Sequence, residues 1–223
     1  DVNSVLYPRY KTENVIGYIK GTEQPDSLFV FVGHYDHLGK MGRDTYFPGA
    51  NDNASGVAML IDLAKYYSKA KNKPKYSIAF IAFSGEECGL HGSRHFAQNP
   101  LFNLSKVKFL VNLDMVGSGS EGIGVVNAKN EPTADSLIKK INRAKNYFTD
   151  IRSGKGSCNS DHCPFVEKGV PGIFIFTRGS EHLFYHNIYD RADNIPLTKW
   201  NELHNFLIDF VNEYPEFERL HNK

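Results

Sequence analysis

Apolar residues along this chain form two kinds of pattern, short continuous runs and longer runs with helical spacing. The continuous runs are rich in valine, isoleucine and phenylalanine, which is typical of buried strands. They predict strands at residues 14–20, 28–34, 76–84, 106–115, 123–127 and 170–176, with a turn at 21–26. The helical spacing predicts helices at residues 55–69, 90–98, 133–147 and 197–214, and a helical turn at 161–167.

This alternation of strands and helices predicts an α/β fold. Strands that are apolar throughout are buried on both faces, so we expect a mostly parallel, mixed central β-sheet with helices on both faces. The chain has 223 residues, which suits a single domain over residues 1–223. A formal net charge of +1 gives no electrostatic reason to expect nucleic acid as a partner. No apolar run approaches the roughly 20 residues of a membrane span, and the oligomeric state is left open.

Side chains that bind metals stand where the predicted strands end. His34 closes one strand, Glu86 and Glu87 follow another, and Asp114 closes a third. In such sheets, functional residues collect just past the carboxyl ends of the strands. Asp52 lies in a small, polar run that leads into a helix, and plain helix capping would account for only one residue of that run.

A later loop histidine, His186, completes a set that is suited to two divalent metals. A carboxylate such as Asp52 can bridge two ions about 3.5–4 Å apart, as in two-metal hydrolytic sites. Asp36 is a candidate partner for the second imidazole nitrogen of His34, since ligating histidines usually donate that N–H to a carboxylate. Each motif alone also has a plainer reading, as a cap, an acidic turn or an ordinary loop histidine.

The order of these motifs resembles that of the di-zinc aminopeptidases related to bacterial leucyl aminopeptidases. Their wider superfamily includes glutamate carboxypeptidase II and the glutaminyl cyclases. The resemblance extends from Asn14 to the C-terminus and implies the zinc exopeptidase fold of the phosphorylase/hydrolase-like type. It implies a hydrolase with two zinc ions per chain that removes N-terminal residues from peptides. In that reading Asp52 bridges the ions, His34 and Asp114 bind one, and Glu87 and His186 bind the other.

The resemblance also implies roles for residues that do not bind metal. Glu86 would be the general base and acid, and Asp36 would support His34. Asp161 lies in a segment that resembles one shaping the substrate pocket, and Tyr185 is a candidate hydrogen-bond donor to the oxyanion. Two further histidines, at positions 37 and 182, are candidates for lining the pocket.

Other members of the superfamily supply the alternative readings. A glutaminyl cyclase would use a single zinc, so metal stoichiometry separates it from a peptidase. The transferrin-receptor branch is not catalytic, but such relatives lose ligands that this chain retains. A carboxypeptidase would need a basic segment for the substrate carboxylate, which the sequence does not suggest.

The compartment is expected to be periplasmic or extracellular, because members of the family are often exported. No export signal is visible, and the chain begins at Asp1 without a methionine, so we expect such a signal to lie in a missing segment. Cys158 and Cys163 could form a disulfide in an exported protein, although three cysteines alone leave the compartment undecided.

Overall fold

The computed structural model describes residues 9–221. Within that range the strands are β1 (Val15–Ile19), β2 (Gln24–His34), β3 (Gly39–Met41), β4 (Thr45–Phe47), β5 (Tyr76–Phe83), β6 (Val107–Leu113), β7 (Gly122–Val126), β8 (Ile151–Ser153) and β9 (Gly172–Arg178). The α-helices are α1 (Gly56–Ser68), α2 (His91–Gln98), α3 (Pro132–Lys145), α4 (Cys163–Val166) and α5 (Trp200–His221). A short, irregular helical segment, Ala50–Ser55, leads into α1.

Seven of the described strands form one mixed sheet in the order β1-β5-β2-β6-β9-β7-β8. The central strands β5, β2, β6 and β9 run parallel to one another. The outer strands β1 and β7 are antiparallel to β5 and β9, respectively. The predicted fold class, a mostly parallel mixed sheet in an α/β domain, is therefore confirmed.

Helices cover both faces of the sheet, because each central strand buries alternate side chains on opposite sides. Phe31 of β2 packs in the larger core cluster, which includes Phe210 of α5 and residues of α1 and α3. Its neighbour Val32 packs in a second cluster with Phe96 of α2 and Phe165 of α4. Within residues 9–221, no helix has the length and hydropathy needed to cross a membrane.

Some local predictions were wrong. Strand β2 begins at Gln24, inside the predicted turn at 21–26, with a register irregularity before Leu28. The short strands β3, β4 and β8 were not predicted, because three residues are too few for a periodic pattern. Helix α5 continues past Pro215 to His221, and Phe217 packs against the larger core cluster.

The parallel register brings the candidate ligands to one edge of the sheet. His34 pairs with Phe83 at the end of β5, and Val32 pairs with Asn112 near the end of β6. Glu86 and Glu87, just past β5, and Asp114, just past β6, therefore follow strand ends that flank His34. This edge is where the loops containing the other candidate residues also converge.

The start of α1 packs so tightly against the end of β6 that residue 56 has to be glycine. A Cβ at Gly56 would overlap the carbonyl oxygen of Leu113 and the side chain of Asn53. We expect Gly56→Ala to lower the free energy of unfolding by about 1–3 kcal/mol, the usual cost of overpacking. Urea denaturation would measure this change. Gly17→Ala is the matched control, since its Cβ would meet only Phe80 at 3.9 Å, and an equal loss in both variants would contradict the prediction.

Candidate metal centre

His34 faces two carboxylates at the end of β2. Its Nε2 atom lies 3.3 Å from Oδ1 of Asp52 and 3.4 Å from Oδ1 of Asp114, and all three residues are buried. A single N–H cannot point at both oxygens, and both distances exceed those of an ordinary N–H···O hydrogen bond. Ligands of a tetrahedral zinc ion at about 2.0–2.1 Å lie roughly 3.3–3.4 Å from one another. Both distances from His34 therefore fit those between ligands of one tetrahedral cation.

A second donor set shares Asp52 with the first. The Nε2 atom of His186 lies 3.2 Å from Oδ2 of Asp52 and 3.2 Å from Oε2 of Glu87. Each carboxylate oxygen of Asp52 thus faces a different histidine. This is the arrangement expected of a carboxylate that bridges two cations.

The charges of this cluster favour a positive centre. Burial by itself lowers the pKa of His34, but the carboxylates of Asp114 and Asp52 raise it to about 12. Burial raises the pKa of Asp52, and the nearby charges of Asp114 and Glu87 raise it further against the opposing effect of His34. Several acids packed around two imidazoles therefore need compensating positive charge, which divalent cations would supply.

The main chain around Asp52 is fixed by its two asparagine neighbours. The Asn53 side chain accepts hydrogen bonds from the N–H groups of Gly56 and Met115, at 2.9 and 3.2 Å. The Asn51 side chain accepts a main-chain N–H from the loop after β6, at 2.8 Å. The polar run before α1 therefore ties α1 to β6 and leaves the Asp52 carboxylate facing the histidines.

Asp36 does not contact His34 in the way that was expected. Nδ1 of His34 lies 3.1 Å from the main-chain oxygen of Asp36 and 3.9 Å from its carboxylate. The carboxylate instead accepts the N–H groups of Glu86 and Glu87, at 3.1 and 3.2 Å. Because β2 ends at His34, the chain turns and presents a carbonyl group to the imidazole. Asp36 therefore fixes the turn that carries the two glutamates.

Glu86 is the half-buried acid beside the first donor set. Carboxylate and imidazole atoms of Glu86, His34 and Asp114 lie within 4.8 Å of one another. Burial raises the pKa of Glu86 to about 8, although the charge of His34 opposes the shift. Bound cations would lower this pKa, because they favour the ionised form. In the metal-free protein the carboxyl of Glu86 thus has a pKa well above its usual range.

A cavity of about 260 Å³ opens over the two donor sets. Met115, Phe174 and Phe176 give it an apolar wall, and Asn159 adds a side-chain amide. Tyr185 also lines it and is 62% exposed, with its ring stacked on that of His186 at a centroid distance of 3.9 Å. The cavity is therefore bounded by the two donor sets on one side and by apolar side chains on another.

The segment around Asp161 lies beside the cluster and is buried. Ser160 donates a hydrogen bond to Oδ2 of Asp114 at 2.7 Å. Asp161 is fully buried, which raises the pKa of its carboxyl to about 7, and its charge in turn raises the pKa of Glu86. The structure thus places this segment next to the cluster, with Asp161 away from solvent.

Comparison with known proteins identifies the family. The model of peptidase family M28 matches residues 14–211. The chain belongs to peptidase family M28. A probable zinc metalloprotease of Pyricularia oryzae is 40% identical over 239 residues, covering 90% of this chain and 47% of that protein. One of Phaeosphaeria nodorum is 31% identical over 221 residues, covering 78% of this chain and 44% of that protein. This M28 chain spans about half the length of the curated relatives it matches.

Solved structures share the fold of this M28 chain. The zinc aminopeptidase BSAP from Bacillus subtilis is 26% identical with a TM-score of 0.71, covering 90% of this chain and 49% of that one. A glutaminyl cyclase from an Acidobacteriales bacterium is 24% identical with a TM-score of 0.76, covering 91% of this chain and 73% of that one. At 24% identity the likeness to the cyclase shows the fold alone. Both kinds of neighbour belong to the superfamily that the motifs resemble.

Some site residues of this M28 chain were missed or only touched on by sequence reasoning. Nδ1 of His37 lies 2.8 Å from Oε1 of Glu87, so His37 contacts a candidate ligand directly. The only signal in the sequence was its position near His34. Phe174 and Phe176 of β9 line the cavity, and nothing in the strand pattern indicates which face of β9 meets it.

Cys158 and Cys163 are paired as a disulfide, and Cys88 is a free, exposed thiol. The Cα atoms of the pair are 4.9 Å apart, within the usual range for a disulfide. We expect one titratable thiol in the denatured, unreduced chain and three after reduction. Thiol titration with mass spectrometry would check this, with Cys88→Ser as the control that should give none before reduction. Three thiols before reduction would contradict the pairing.

Proposed function

We propose that this chain is the catalytic domain of a zinc-dependent exopeptidase of the aminopeptidase type. The observation that carries the proposal is the position of Asp52, whose two oxygens face His34 and His186 separately. His34, Asp52 and Asp114 would hold one zinc ion, and Asp52, Glu87 and His186 the other. Zinc bound there would polarise the scissile carbonyl and lower the pKa of an attacking water.

Side chains of the chain would supply proton transfer, binding of the substrate side chain and stabilisation of the oxyanion. Glu86 would accept a proton from the attacking water at its carboxylate and pass it to the leaving amine, as a general base and then a general acid. The apolar wall formed by Met115, Phe174 and Phe176 would hold the side chain of the residue to be removed. Tyr185, at the rim of the cavity, is the candidate donor to the oxyanion.

The lining of the cavity favours the amino end of a peptide over the carboxyl end. Among the described residues that line the cavity, none is a lysine or an arginine. A substrate carboxylate would thus lack a lysine or arginine partner, whereas the carboxylate of Glu86, which holds no zinc ion in this proposal, can attract a free α-amino group. The Cys158–Cys163 disulfide supports an oxidising compartment, in keeping with periplasmic or extracellular location.

Metal content and substrate class together test the proposal. We expect about two zinc ions per chain by elemental analysis. We also expect hydrolysis of aminoacyl-4-nitroanilides, none of their N-acetylated forms, and loss of activity with a chelator. A chain with one zinc that cyclises N-terminal glutamine would instead be a glutaminyl cyclase. A chain that takes up no transition metal would overturn both readings.

A further inference from the structure

Asp190 is a fully buried carboxylate beside the metal centre that belongs to neither donor set. Burying a charge is costly unless it is paired and hydrogen-bonded. Oδ1 of Asp190 accepts the main-chain N–H of Asn51 at 2.8 Å and lies 2.9 Å from Nε2 of His182. Oδ2 accepts the main-chain N–H of Asp52 at 3.0 Å. Both oxygens are directed to these donors, and Asp190 belongs to none of the groups of possible metal ligands among the described residues.

We propose that Asp190, supported by His182, is a positioning residue that fixes Asp52 and His186 for the second cation. This inference rests on the proposed function. The main-chain oxygen of Asp190 also accepts the N–H of Ala50, at 3.1 Å. Asp190 therefore accepts the main-chain N–H groups of three consecutive residues before α1. Such a clamp restricts rotation of the main chain at Asp52 and keeps its Oδ2 atom 3.2 Å from Nε2 of His186.

The same contacts also fix the loop that carries His186. His182 and Asp190 stand four residues before and four residues after His186, and their side chains meet. The loop is thereby closed on itself and anchored to Asn51 and Asp52. His186 has a left-handed backbone conformation with φ of 51°, which only a well-determined loop maintains.

The two cation sites depend on Asp190 to different extents. His34 is the last residue of β2 and Asp114 directly follows β6, so the hydrogen bonds of the sheet position both. His186 belongs to a loop, and its position depends on the contacts of Asp190. Loss of Asp190 should therefore weaken the second cation more than the first.

Cobalt titration of the metal-free full chain tests this difference. We expect wild type to bind two equivalents of Co²⁺. Visible absorption and calorimetry would measure the binding of each equivalent. In Asp190→Asn an NH₂ group replaces one of the two carboxylate oxygens, so a main-chain N–H of residue 51 or 52 loses its acceptor and faces another donor. The second equivalent should bind about 10–100-fold more weakly, the usual effect of losing a residue that supports a metal ligand. The first, which shares Asp52 but keeps His34 and Asp114 in place, should weaken by a smaller factor. The spectrum of singly loaded Asp190→Asn should match that of Glu87→Gln, in which the second donor set is disrupted.

Two further sets of variants keep the test decisive. His182→Ala should reproduce the weaker second site, and His182→Gln should restore it, because a glutamine amide can donate to Asp190. Asp193→Asn is the matched control, since Asp193 is an exposed carboxylate of the same loop that pairs with Arg191. It should bind both equivalents as wild type does.

The outcomes separate this inference from the proposed function. If Asp190→Asn and His182→Ala bound both equivalents as tightly as wild type does, Asp190 would have a purely structural role and the inference would be overturned. Lower unfolding temperatures of the variants would not change that conclusion. Equal weakening of both equivalents would overturn the assignment to the second cation. If wild type itself bound neither Co²⁺ nor Zn²⁺, both the proposed function and this inference would be overturned.

Discussion

Replacing Glu86 by glutamine is expected to remove nearly all hydrolysis while both zinc ions stay bound. Glutamine keeps the size of the side chain but cannot accept and return a proton at neutral pH. Loss of a general base usually reduces turnover by about 10²–10⁴-fold. Binding of the metals should survive, because each donor set is complete without Glu86. The decisive measurement is the turnover of an aminoacyl-anilide together with the zinc content of the same preparation.

Glu23→Gln is the matched control for this experiment. Glu23 is an exposed glutamate that pairs with Lys75, and it directly precedes β2, at the opposite end of that strand from His34. The control should keep wild-type turnover and zinc content. Undiminished turnover in Glu86→Gln would exclude Glu86 as the base. Loss of a zinc ion in Glu86→Gln would show that Glu86 is a ligand instead.

Asp52→Asn is expected to have the largest effect on the metals themselves. Both oxygens of Asp52 face donor sets, and asparagine replaces one of them with an NH₂ group that cannot bind a cation. Bound zinc should fall from about two ions to one or none, and hydrolysis should fall to background. Elemental analysis after dialysis would measure the loss. Asp44→Asn, in the exposed turn between β3 and β4, should retain both ions.

The same substitution should change stability with opposite signs in the two metal states. In the metal-free protein, burial and neighbouring carboxylates raise the pKa of Asp52, so its ionised form disfavours folding at neutral pH. Metal-free Asp52→Asn should therefore unfold at the same temperature as metal-free wild type or higher. In excess zinc the order should reverse, because only wild type gains the full binding energy of two ions. A lower unfolding temperature of the variant in both states would contradict a bridging role.

The fold could be predicted from the sequence because its cause is local. Continuous apolar runs such as residues 28–34 have to be buried on both faces, which requires a parallel sheet covered by helices. The same logic places His34 and Asp114 at one edge, since parallel strands end together. The shortest strands and the end of α5 were not predicted, because neither has a periodic pattern that marks it.

The candidate site was predicted in its residue types but not in its contacts. The sequence indicated which side chains could bind metal. The structure places His34 within ion-pair distance of Asp52 and Asp114, and it places His186 within that distance of Asp52 and Glu87. The contacts of Asp36 were not predicted. Its carboxylate holds the glutamate turn instead of the imidazole, because the turn of the chain after β2 decides which atom faces His34.

The sequence by itself determined the α/β architecture and the edge of the sheet where the acids and histidines gather. The continuous apolar runs of the central strands indicate that they are buried, and the polar residues that follow those runs mark where these strands end. Only the tertiary structure decided that Phe174 and Phe176 line the cavity, that His37 contacts Glu87, and that Asp190 fixes the main chain at Asp52. These contacts join loops and strands that are far apart in the chain, so their geometry follows from packing and not from any local pattern.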